Sequence, residues 1–409
     1  MSNPAVPNLG DLHDEQIVAL LRSGAHAMLL SAYFGEQEYR ELCQYAKLAA
    51  TRANGAGPIV YILPGIMGSK LGTSPHLIWL HPVAIANGGI LELAMPAEKP
   101  LTASGVMLPG YLKLKLMLEI AGFRPVFYPF DWRCDLFELG RALLDHIAAQ
   151  GEREVMLVAH SMGGLVARAA LTLDTQSRIK RLVQLGAPNE GSFAPVQALR
   201  AVYPTVRKLA ALDQSHSAEE LARKVFLALP GLYQMLPTPA LTSIDLFDPR
   251  SWPQDELAPN ATLLREAREI RARLPPADAR CALIAGTSQE TITSVRLVEN
   301  QFEYTITRDG DGTVPLALAQ WRNAATWFVS ESHGGLTNND TVLAAVIDLL
   351  QTTTTLRLSD RAPPVEGKPV RVTTDRQLRA QATRKVQWDA LSLDSRRRIL
   401  EPVISPEFL

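Results

Sequence analysis

Ser161 follows the run Val155-Met156-Leu157-Val158-Ala159-His160 and precedes Met162-Gly163-Gly164-Leu165-Val166. A serine hydroxyl is a poor nucleophile until a base takes its proton, so the chemistry at issue is acyl transfer through a serine ester. Val155 to Val158 are four consecutive apolar residues, which fit a strand buried on both faces. Leu165, Val166, Ala169 and Ala170 then recur at helical spacing. Strand, serine, helix is the order of a nucleophile elbow, a strained turn that needs small residues two places to either side of the serine. Ala159 and Gly163 occupy those places, giving A-x-S-x-G with a methyl group where glycine is usual.

The base and its orienting carboxylate are expected on loops after strands, in the chain order serine, acid, histidine. Of eight histidines, His13 and His26 fall in a leading helical segment, His76 and His81 in a loop-rich stretch, His146 in a helix and His216 in an insertion. His160, beside the serine, is expected to point away from it. His333 alone lies downstream on a loop after the last strand, followed by two glycines. For the acid, Asp311 sits between glycines in Arg308-Asp309-Gly310-Asp311-Gly312-Thr313-Val314-Pro315. Asp309 competes with it, and Asp311 is preferred because Thr313 and Val314 could anchor the loop. An earlier apolar run, residues 59–63, ends in Pro64-Gly65-Ile66-Met67-Gly68-Ser69-Lys70-Leu71. Such a loop can turn backbone N–H groups toward a cavity, as an oxyanion hole requires. Pro-Gly and Gly-Asp loops are more often plain turns, and position along the chain is what selects these two.

To bring these residues together the chain needs alternating strands and helices. Strands are predicted at 59–63, 125–129, 155–160, 182–185, 282–286 and 326–329, helices at 111–121 and 136–149, and a hairpin at 291–298 with 302–307. Right-handed crossovers then give an α/β class with a mainly parallel sheet flanked by helices, binding ligands at the carboxyl ends of its strands. The domain reading is residues 1–52 as an N-terminal helical segment, 53–192 and 280–352 as the core, and 193–279 as a helical cap or lid insertion. Residues 353–409 are a peripheral tail with one helix near 391–400. An ordinary helical subdomain competes with the cap. Residues 72–109, broken by prolines, carry no prediction of regular structure.

A chain of 409 residues, 47% hydrophobic, 20% charged and with net charge −1, offers no electrostatic reason to expect nucleic acid as a partner. Cys43, Cys134 and Cys281 are scattered without metal-ligand spacing, so no metal, no cofactor and a reducing compartment are expected. The first fourteen residues lack the pattern of a secretory signal, and no apolar run is long enough to span a bilayer. The expectation is a cytoplasmic protein, with contact to a membrane surface left open.

Six motifs in order now carry a resemblance: residues 63–71, Phe130-Asp131-Trp132-Arg133, Ala159-His160-Ser161-Met162-Gly163-Gly164, Gly186-Ala187-Pro188, Gly310-Asp311-Gly312-Thr313-Val314-Pro315 and Ser332-His333. Across about residues 58–350 the chain resembles the lecithin:cholesterol acyltransferase family of α/β-hydrolases, which includes phospholipid:diacylglycerol acyltransferases and lysosomal phospholipase A2. The resemblance implies Ser161 as nucleophile, Asp311 as acid, His333 as base, and the N–H groups of Met67 and Met162 as oxyanion donors. Gly65, Ile66, His160 and Gly163 fall near that site, and Asp131, Trp132 and Arg133 match a signature implying a structural role. Secreted relatives have a signal peptide and disulfides, from which this chain departs.

The function expected is a serine acyl-ester hydrolase of lipase or phospholipase type, or an O-acyltransferase, working on a lipid through an acyl-serine without a metal. Two readings compete with it. One is a binding or regulatory module that has kept the fold and lost the chemistry, and the other is a small-ester or amide hydrolase.

Overall fold

The computed structural model describes residues 12–52, 57–73, 76–364, 369–381, 384–392, 395–396 and 399. Its strands are β1 (Ile59–Leu63), β2 (Ser69–Thr73), β3 (His76–Trp79), β4 (Thr102–Val106), β5 (Arg124–Phe127), β6 (Val155–His160), β7 (Ile179–Leu185), β8 (Cys281–Gly286), β9 (Thr291–Val298), β10 (Gln301–Thr307), β11 (Ala325–Val329) and β12 (Arg371–Thr374). Six of them form one sheet in the order β11-β8-β7-β6-β1-β5, with every neighbouring pair parallel. Ile59, Tyr61 and Leu63 enter the core on one face, with residues of helices Leu136–Ala149 and Met162–Leu173. Val60 and Ile62 enter the core on the other, with helices Leu108–Ile120 and Asp340–Thr352. This doubly covered parallel sheet is the α/β-hydrolase fold. Because the strands are parallel, the loops after β1, β6, β8 and β11 all open on the same edge.

Residues 72–109 are more regular than their prolines suggest. β3, β2 and β4 make an antiparallel sheet, and a short helix spans Pro82–Ala86. Its signal is hidden because Ser69-Lys70-Leu71-Gly72-Thr73 and Thr102-Ala103-Ser104-Gly105-Val106 hold few β-branched or aromatic residues, and two register shifts break their alternation.

The leading segment forms helices Asp14–Ser23, Ala27–Phe34 and Glu36–Arg52, which share a core with helix Leu108–Ile120. That central helix is apolar nearly all round, and its two buried lysines leave it through ion pairs. Lys113 meets Glu41 and Asp340, each at 3.0 Å, and Lys115 meets Asp14. Among the described residues no helix is long and apolar enough to cross a membrane. Residues 1–11 of the leading stretch and 53–56 of the break after it lie outside the described residues.

The tail is not peripheral throughout. After residues 353–364 the chain returns as β12, which pairs antiparallel with β10. Helix Asp375–Ala380 follows, and Asp375 is buried against Arg200 Nε (3.0 Å) and Tyr304 Oη (2.7 Å). Arg200 also holds Asp255 through both terminal nitrogens, at 2.7 and 2.6 Å. Polar composition masked this segment, although Val372, Thr373 and Thr374 are β-branched. A 3-10 turn spans Trp388–Ala390, and half of the helix predicted near 391–400, residues 393–394, 397–398 and 400, lies outside the described residues. Removing Asp375 leaves Arg200 paired to Asp255 but strips Arg200 Nε and the Tyr304 hydroxyl of their buried acceptor. Asp375→Ala is therefore expected to destabilise the fold by about 3 kcal/mol, read as a lower urea midpoint; an unchanged midpoint would show that the tail segment adds nothing.

Candidate active site

Ser161 has φ 53° and ψ −126°, between the end of β6 and helix Met162–Leu173. Such a backbone costs a non-glycine residue on the order of 1–3 kcal/mol and persists only where its surroundings over-determine it. Here the Ser161 N–H donates to the Leu185 carbonyl (2.9 Å) and its own carbonyl accepts from Gly164 N–H (2.9 Å). Gly163 must lack a side chain, because a Cβ there would lie 2.4 Å from the Pro64 carbonyl oxygen.

The loops after β10 and β11 meet at this serine. His333 Nε2 is 2.9 Å from Ser161 Oγ, and His333 Nδ1 is 2.7 Å from Asp311 Oδ2. An ionised carboxylate only accepts, so Nδ1 carries the proton and Nε2 is left to accept from the serine. Asp311 Oδ1 accepts from the N–H groups of Thr313 (2.9 Å) and Val314 (2.7 Å), and the Asp311 carbonyl accepts from His333 N–H (2.7 Å). All three side chains are buried. The competitor Asp309 instead accepts from Thr307 Oγ1 at 2.9 Å.

Met162 opens its helix, so its N–H is among the donors that a helix leaves without an internal acceptor, at the positive end of the helix dipole. Met67 is the third residue of the turn over residues 65–68, closed by Gly68 N–H to the Gly65 carbonyl (3.0 Å). Its φ of 62° marks a type II turn, whose middle peptide, carrying the Met67 N–H, is flipped. Trp79 Nε1 donates to the Met67 carbonyl at 2.7 Å.

Asp131, Trp132 and Arg133 are not among the residues lining the cleft. Arg133 binds Asp131 through Nε (2.8 Å) and Nη2 (2.6 Å), and Trp132 packs edge-on to Trp79 while Ser69 Oγ accepts from Phe130 N–H (3.0 Å). They brace the turn from behind. His160 points away from Ser161: its Nδ1 meets Tyr111 Oη at 2.9 Å, and its Nε2 meets the His333 carbonyl at 3.0 Å. Burial, and then the nearby His333, push the His160 pKa down to about 3. Tyr111 escaped the sequence reading because it is one apolar position in an apolar helix.

The cleft over Ser161 is lined by Gly65, Ile66, Met67 and Tyr111 on one side and by Pro195, Ala198, Tyr203, Leu232 and Met235 of the insertion on the other. Among the described residues no Lys, Arg, Asp or Glu lines it. No group of three His, Cys, Asp or Glu side chains among them could hold a metal ion.

Residues 138–244 match the family model described as a PGAP1-like alpha/beta domain. The chain is similar in fold to the Tle4-Tli4 complex structure (15% identity over 73% of this chain and 100% of that chain, TM-score 0.48). It is also similar to mature lipase BlEst2 of Bacillus licheniformis (14%, 74% and 94%, 0.38) and to the lin2722 gene product of Listeria innocua (11%, 75% and 100%, 0.32). No curated protein matches it. The chain has the α/β-hydrolase fold.

Two outcomes follow from this geometry. A Cβ on Gly65 would lie 2.9 Å from Ser161 Cβ and 3.4 Å from its Oγ. Gly65→Ala is therefore expected to slow serine acylation about tenfold or more by displacing the hydroxyl, measured as the rate of fluorophosphonate labelling; an unchanged rate would place the turn elsewhere. For His160, the folded value of about 3 lies below the ordinary 6.5, so as pH falls the unfolded chain takes a proton that the folded one refuses. The stability this histidine leaves intact above pH 6.5 is lost on acidification, at up to about 1.4 kcal/mol per pH unit. Urea unfolding of His160→Gln between pH 6 and 4 is expected to show a slope shallower than wild type by that amount, and equal slopes would refute it.

Proposed function

We propose that the protein is a serine acyl-ester hydrolase that cleaves a neutral lipid ester through an acyl-Ser161 intermediate. The observation that carries this reading is the unbroken hydrogen-bonded run from Ser161 Oγ through the His333 imidazole to Asp311. His333 Nε2 takes the serine proton as Oγ attacks the ester carbonyl, and Asp311 stabilises the imidazolium that forms. The N–H groups of Met67 and Met162 hold the negative charge on the carbonyl oxygen. His333 then protonates the leaving alcohol, and a water deprotonated by the same histidine releases the acid. An alcohol in place of water would make the reaction an acyl transfer, which the resemblance to lecithin:cholesterol acyltransferases supports; hydrolysis is favoured because transfer needs water excluded.

The lining supports the substrate class. An acyl chain gains about 0.8 kcal/mol per buried methylene against such a surface. A charged head group would be desolvated there with no charged partner, so it has to remain outside. A lipid presented at a membrane surface fits this arrangement. The intact hydrogen-bonded run argues against a module that has lost its chemistry.

Ser161→Ala is expected to abolish fluorophosphonate labelling and to lower kcat by about 10⁶-fold, and Asp311→Asn by about 10⁴-fold. Labelling that survives Ser161→Ala would end this reading. Across nitrophenyl esters of rising chain length, kcat/KM is expected to climb beyond acetate; a maximum at acetate would point to a small-ester enzyme.

A further inference from the structure

Tyr111 and His160 lie outside the hydrogen-bonded run of the proposed mechanism, yet together they connect the turn at Gly65 to the backbone of His333. Tyr111 Oη accepts from the N–H of Gly65, the first residue of the turn that presents Met67 (2.9 Å). The phenol proton is then left for His160 Nδ1 at 2.9 Å. His160 Nε2 faces the His333 carbonyl at 3.0 Å, and a carbonyl can only accept, so Nε2 carries the proton. One arrangement of hydrogens satisfies the whole series: Gly65 N–H to Tyr111, Tyr111 O–H to His160, His160 Nε2–H to the backbone of His333. Each of the two side chains is both donor and acceptor, so neither can turn without unpairing the other. Asn338 Nδ2 donates to the Pro109 carbonyl (3.0 Å), tying the start of the Tyr111 helix to the loop that follows His333.

We infer that Tyr111 and His160 are positioning residues, a neutral hydrogen-bonded brace that sets the separation between the oxyanion turn and the histidine that serves Ser161. The brace rests on the reading of Ser161, Asp311 and His333 given above. It acts on the reaction without touching the reacting atoms: Gly65 is held from one end and the peptide of His333 from the other. The elbow, next to His160 in the chain, sits between them. Misplacement of a reacting group by about 1 Å can cost on the order of a hundredfold in rate, so the brace affects turnover more than substrate binding.

The test uses the full chain with Tyr111→Phe, His160→Gln, the double variant and Ser161→Ala, each checked for folding by circular dichroism. His160→Gln keeps an amide donor for the His333 carbonyl, but its Oε1 acceptor lies one bond further from the backbone than Nδ1 and no longer meets Tyr111. Either single variant is expected to lower kcat on a medium-chain nitrophenyl ester by about tenfold to a hundredfold, with KM within about twofold. Each still labels to one fluorophosphonate per chain, more slowly. The double variant is expected to be no slower than the worse single one, because a broken brace cannot break again. Should Tyr111→Phe not fold, the kcat and KM of His160→Gln decide. Wild-type labelling rates in a folded single variant, a loss confined to KM, or fully additive losses would each overturn the brace alone. Labelling that persists in Ser161→Ala would overturn the site reading, and the brace with it.

Discussion

A non-glycine residue held at φ 53° is the constraint from which the rest of this site follows. Ser161 can hold it only because β6 ends inside a parallel sheet and a helix begins at the next residue, fixing the chain on both sides. The turn lifts the hydroxyl off the sheet edge and leaves little room beneath, and the loop after β1 passes close to it, Pro64 against Gly163 and Gly65 against Ser161. The same compression brings the Met67 turn beside the serine. Strain at one residue and close packing of its neighbours are two views of one geometry.

Once the serine is placed, the polar groups around it have few choices. Each buried donor needs an acceptor, and the only abundant ones are carbonyls and the Asp311 carboxylate. Asp311 has one oxygen committed to the N–H groups of Thr313 and Val314, which leaves the other to His333. His333 is thereby set in the tautomer that accepts from serine, and His160 in the opposite one. Two adjacent imidazoles, 4.8 Å apart between ring centres, thus play different parts because of what each faces.

The elbow was legible in the sequence because strand, small residues and helix are all local signals. Asp311 and Thr313-Val314 were legible for the same reason, since the anchoring bonds span two and three residues. His333 emerged by elimination from chain order. What stayed hidden depends on long-range packing. Tyr111 reaches His160 across 49 residues and Arg200 reaches Asp375 across 175, and neither pairing leaves a trace in local composition. The sheet β3-β2-β4 was hidden for a different reason: β2 and β4 hold few good strand formers, and pairing rather than propensity makes them extended.

The buried cluster around Arg200 shows how distant segments reach the site without touching it. Arg200 ends helix Ala194–Leu199, and Pro195 and Ala198 of that helix line the cleft. Its partner Asp375 comes from the returning tail and also accepts from Tyr304 of β10, the strand whose end leads into Asp311. Burial, reinforced by that carboxylate, pushes the Tyr304 phenol well above its usual pKa, so it remains a donor across the working pH range. One carboxylate therefore joins a wall of the cleft to the strand that delivers the acid. A parallel sheet alone would set Ser161, but the β9–β10 hairpin that leads to Asp311 belongs to a separate three-stranded sheet whose third strand comes from the returning tail. β12 supplies the backbone pairing, and Asp375 supplies the charge that locks it to the insertion. Residues 371–380 are thus structural support for the acid and the cleft wall together, although none of them is a reacting group.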